Sequence, residues 1–120
     1  MAYETYEVVL GRVASRSLRH HGEDNTVMDA AVAALEELSG SRHSSVERHD
    51  RHCNEYGSYS VGAVVGSIGP DSAMRLDQVN LVPTEEHVRL AEEAFQNLPC
   101  DVREAVGRLP HGLWLVCTAY

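Results

Sequence analysis

The chain has 120 residues and carries Lys+Arg 10 against Asp+Glu 18, a net charge of −8. That length fits one globular domain spanning residues 1–120, and the composition (43% hydrophobic, 23% charged) argues against extended disorder. The negative field repels phosphate backbones, so direct nucleic-acid binding is disfavoured and a partner with a basic surface is favoured.

No apolar run reaches the length of a membrane span, and the opening MAYETYEVVL lacks a basic leader region. The expected compartment is the cytoplasm. The three cysteines, Cys53, Cys100 and Cys117, are odd in number and widely spaced, which points to reduced thiols. All ten basic residues are arginine, which fits either a GC-rich coding sequence or a surface suited to forked hydrogen bonding.

In chain order, residues 4–20 read as a helix, because Tyr6, Val9, Leu10 and Val13 recur at helical spacing. Arg12, Arg16 and Arg19, continued by His20, would lie on another face. Residues 26–39 form the clearest helix, with Met28, Ala31, Leu35 and Leu38 as its apolar stripe and Gly40 as its stop. Glu36 and Glu37 sit near its C-terminus, against the helix dipole, where they could serve a partner.

The next stretch, RHSSVERHDRHCNEYG, predicts a helix over about 45–55 that opens with Ser44 and Glu47 as a capping box. His49, His52 and Cys53 would share one face of it, with His43 one turn earlier and His20-His21 as a source of a further ligand. These are candidate zinc ligands, although the spacing matches no standard finger. A solvated polar helix is the plainer reading, and no cofactor is expected. Cys53 has no evident oxyanion donor, which argues against a nucleophile.

The glycine-rich GSYSVGAVVGSIGP, residues 57–70, is ambiguous between helix and strand. As a helix, Gly62 and Gly66 would make a flat strip on which a second copy could pack. Tyr56 and Tyr59 flank it as interface anchors or core closure. Residues 84–98 predict a strong helix, capped by Thr84, with Glu85 and Glu86 in its first turn and Val88, Ala91, Phe95 and Leu98 as its core stripe. Glu92 and Glu93 extend its acidic surface. A shorter helix lies between Pro99 and Pro110. The run LWLVC, residues 113–117, is a buried strand or a final helix, and exposed it would be an interface, including one between two copies.

The segment AEEAFQNLPCDVREAVGRLP, residues 91–110, with the apolar run after it, resembles phage antitermination proteins of the Q type and the last region of bacterial sigma factors. That resemblance implies a regulator contacting RNA polymerase. In those families a helix-turn-helix follows, and here the basic charge of such a reader is missing.

Together these features predict a mainly α single-domain bundle of five or six helices, with a short two-stranded β element from 57–66 and 113–118, or an α+β fold as the alternative. The predicted function is non-enzymatic: a small acidic protein-binding regulator or inhibitor. Its surface, Glu36, Glu37, Glu85, Glu86, Glu92 and Glu93 with Tyr56 and Tyr59, would face a basic machine that handles nucleic acid. Phage and mobile-element proteins that inhibit CRISPR complexes share this size and charge. A metal-binding protein using His43, His49, His52 and Cys53 is the alternative from another class.

Overall fold

The segment ETYEVVLGRVAS is a strand, not a helix. A computed structural model describes residues 4–15, 18, 25–40, 50–51, 58–69, 75, 77 and 79–119. In order, the elements are β1 (Glu4–Ser15), α1 (Thr26–Gly40), β2 (Asp50–Arg51), β3 (Ser58–Ile68), α2 (Glu85–Gln96), α3 (Cys100–Gly107) and β4 (Gly112–Ala119). The sheet order is β2-β3-β1-β4, antiparallel throughout.

The expected bundle of five or six helices is therefore overturned. Three helices and an antiparallel sheet make an α+β fold among the described residues. The physical reason lies in β1. It pairs on both edges and is covered on both faces, so its apolar residues do not alternate with polar ones. Val8, Leu10 and Ala14 point into the helix layer, while Val9 and Val13 point to the opposite side, where Val116, Leu18 and Trp114 join them. The β-branched valines favour the pleated backbone. Of the expected strand pair, residues 58–66 and 113–118 are both strand, but β1 lies between them and they do not pair with each other.

α1 packs against α3 and the sheet through Ala31, Val32, Leu35 and Leu38. α2 lies chiefly over β3 and presents Ala91 and Ala94 to the core, where Leu98, just past its C-terminus, joins them. Its N-terminus carries a capping box in which Thr84 Oγ1 accepts from the His87 amide (3.3 Å) and His87 Nδ1 accepts from the Thr84 amide (3.0 Å). Arg103 donates to the Gln96 carbonyl at the other end (3.1 Å), a cation where the helix dipole favours one.

Two backbone features fix the sheet. First, Gly62, Gly11 and Gly112 lie side by side across three strands. A Cβ on Gly11 would collide with the Val61 carbonyl oxygen, and one on Gly62 with the Leu10 carbonyl oxygen. β1 and β3 thus approach too closely for any side chain there. Trp114 lies along this row and donates its indole N–H to the Gly11 carbonyl (3.0 Å).

Second, the register slips between Val8 and Val9, leaving Val65 as an extra residue on β3. Asn80 fits over the bulge: its Nδ2 donates to the Val65 carbonyl (3.1 Å), and its Oδ1 accepts from the Val82 amide (3.3 Å). This holds the segment leading into α2 against Gly66.

Two substitutions test these features by thermal denaturation followed by circular dichroism. Gly62→Ala is expected to cost at least about 3 kcal/mol, because backbone must move. Gly112→Ala should be far milder, since its Cβ would meet only Trp114 Nε1 at 3.8 Å. Ser60 is fully buried, and its Oγ has no hydrogen-bond partner among the described residues. Ser60→Ala is therefore expected to leave the melting temperature unchanged or raise it, by up to about 1 kcal/mol of stability. A clear fall in melting temperature would contradict that.

Candidate functional site

The helix layer does not cover the whole sheet. In the register, Leu113 stands beside Leu10 and Leu115 beside Val8, so both leucines project on the side that carries the helices. Leu10 and Val8 are buried there, yet Leu113 is 47% and Leu115 62% exposed. β4 is the outer strand, and nothing among the described residues pairs with its free edge. Residues 112–119 carry no charge, proline or lysine, the usual guards of an open edge.

α2 lies over the two strands next to β4, chiefly β3 and then β1. The Arg12 guanidinium of β1 stacks on the Phe95 ring, 4.4 Å from its centroid, and donates through Nε to the Leu109 carbonyl (3.2 Å). That contact turns the Phe95 flank of α2 towards β1 and the connection that leads into β4. Val88 stands two turns earlier on the same flank, 56% exposed. The expected core stripe therefore holds for Ala91 and Leu98, while Phe95 is half-buried and Val88 faces outward. The register of β4 and the helical phase of α2 together define an apolar trough, with Leu113 and Leu115 on its β4 side, Val88 and Phe95 on its α2 side, and the Arg12 contact with Leu109 at one end.

The predicted acidic residues divide into two groups. Arg89 bridges Glu86 (2.5 Å) and Glu93 (2.8 Å) on one flank of α2. Its hydrogen bond holds the Glu86 carboxyl below its ordinary range, and Glu86 in turn raises the Arg89 guanidinium. Glu85 and Glu92 lie on the other flank with Val88, both exposed. No basic side chain pairs with either among the described residues, and Glu92 accepts from Gln96 (2.9 Å). Glu36 and Glu37 are exposed on the last turns of α1. The six carboxylates thus do not form one face: Glu85 and Glu92 lie on the trough side of α2, and Glu86 and Glu93 share one guanidinium that offsets half of their charge.

Tyr59 belongs to the core, 4% exposed among Leu35, Leu38 and Val61. Tyr56, His43, His49, His52 and Cys53 lie outside the described residues, as do Arg16, Arg19, His20 and His21. Among the described residues no group of three or more His, Cys, Asp or Glu side chains is placed to hold a metal ion. The glycine strip is not a docking surface on a helix: Gly62 is buried against β1, and Gly66 lies under Asn80. Cys100 is exposed and its thiol is free. No helix among the described residues is long and apolar enough to cross a membrane.

No family model matches the chain, and no curated protein or solved structure is significantly similar to it. The segment that resembled antitermination proteins supplies Ala91, Ala94, Leu98, Val102, Val106 and Leu109 to this chain's own core, and the apolar run after it is strand β4.

The ion-pair cluster yields a prediction. A carboxyl held low stabilises the fold above its unfolded pKa, and that contribution fades as pH falls through the lowered folded value. Arg89→Ala should therefore move the Glu86 carboxyl titration, followed by carbon-13 NMR, upward towards its ordinary range. Because the pair is exposed, the melting temperature at neutral pH should change little.

Proposed function

We propose that the protein is a non-enzymatic binding protein, an acidic regulator or inhibitor that docks onto a basic surface of another protein. The uncovered apolar strip of Leu113, Leu115 and Val88, bordered by Glu85 and Glu92, carries this reading. Exposed leucines in a charge-free strand raise the solubility cost of leaving the strip bare, and a partner offsets that cost. A charge-depleted apolar centre within a polar rim is also how protein interfaces are built.

The net charge of −8 sets the partner's sign. Surfaces that handle nucleic acid are basic, and an acidic protein competes for them through the electrostatics that phosphates use. Glu36 and Glu37 on α1 extend the negative field beyond the strip. The Arg89 bridges narrow the active part of α2 to its Glu85 and Glu92 flank.

A partner isolated from the native host and purified should bind the full chain with an affinity that falls as salt rises from 50 to 300 mM. Neutralising Glu85 and Glu92 together (to Gln) is expected to weaken that complex about tenfold and flatten its salt dependence. Changing Glu86 and Glu93, already tied to Arg89, should do much less. Binding indifferent both to salt and to Glu85→Gln/Glu92→Gln would refute the reading.

A further inference from the structure

We infer that the trough over β4 receives an amphipathic α-helix of a partner protein, basic along the flank facing α2, which completes the helix layer of this fold. The inference rests on the protein-binding reading above and specifies the occupant.

The argument is one of spacing first. Packed helices stand about 8–10 Å apart, and adjacent strands about 4.8 Å. α2 lies chiefly over β3. One helix diameter further along the sheet, two strand widths, is β4. The next place in the helix layer is therefore above Leu113 and Leu115, the side chains left exposed.

An added strand would satisfy the edge of β4 but would lie beside these leucines rather than over them. Pairing two copies edge to edge would leave them bare in the same way, and both copies would carry the same net charge of −8. A helix covers them and meets Val88 with its own apolar stripe at i, i+3, i+4 and i+7.

Charge supplies the second constraint. Glu85 and Glu92 stand seven residues apart on the flank with Val88, so they present carboxylates about 10 Å apart along the groove. A docking helix with Lys or Arg at the same period would face both. The closed end is different: there Arg12 is held by the Phe95 ring and the Leu109 carbonyl. From Leu113 to Ala119 the strand spans about 20 Å, room for a helix of roughly 13 residues.

The test uses the full chain and a designed probe. A capped peptide of about 14 residues, built from Leu, Ala and Lys with its leucines at i, i+3, i+4 and i+7, is titrated into nitrogen-15-labelled protein. Saturable shifts are expected at Val88, Glu85, Glu92, Leu113 and Leu115. Affinity should fall at least about tenfold for Leu113→Asn/Leu115→Asn, surface changes that spare the core. Glu85→Gln/Glu92→Gln should lower it about threefold to tenfold, and a Glu-for-Lys peptide should bind correspondingly worse. No binding, or binding unaltered by Leu113→Asn/Leu115→Asn, overturns the inference. So does tighter binding of a same-composition peptide with leucines at alternate positions, which would reveal strand addition. A dimer seen in sedimentation that dissociates in Leu113→Asn/Leu115→Asn would also overturn it, assigning the trough to a second copy. A host-partner complex that keeps its salt dependence but tolerates Leu113→Asn/Leu115→Asn would sink this inference alone and leave the broader reading intact.

Discussion

The double burial of β1 determines the placement of everything else. One strand donates Val8, Leu10 and Ala14 to the layer under the helices and Val9 and Val13 to the opposite side. Its two edges take β3 and β4 in antiparallel register. At Gly11 it meets β3 so closely that only hydrogen atoms fit between the backbones. This contact and the bulge at Val65 set the register along β3, and hence which of its residues α2 covers. Because α2 settles chiefly over β3, the outer strand on the other side of β1 is left without a roof.

The helices were legible in the sequence because they obey local rules. Thr26–Gly40, Glu85–Gln96 and Cys100–Gly107 have cap residues, terminal glycine or proline breaks and apolar stripes at helical spacing. Even there, local pattern misjudged Val88, whose exposure depends on where the sheet ends. The strands were not legible. A central strand with both faces covered has no period-two signal, and Tyr6, Val9, Leu10 and Val13 matched a helix by chance of spacing. Glycines in GSYSVGAVVGSI that suggested a helix-packing strip are sites of close strand approach.

The candidate site was half visible. The carboxylates of α2 could be named from the sequence, and the run LWLVC could be marked as an interface if exposed. What joins them is the register of Leu10 with Leu113 and Val8 with Leu115, a long-range pairing with no local trace. Nor could charge counting separate Glu86 and Glu93, tied to Arg89, from Glu85 and Glu92 across the same helix. Side of helix, rather than number of acids, decides which of these charges are tied to Arg89.

Trp114 gives the protein an optical consequence. It is the sole indole in the chain, and its N–H is anchored to a carbonyl of the central strand rather than to a helix. Its emission is therefore an intrinsic gauge of whether the last strand stays attached. Detachment of that strand would redden the fluorescence while far-ultraviolet helical signal persisted, so fraying of the sheet's rim can be timed separately from global melting.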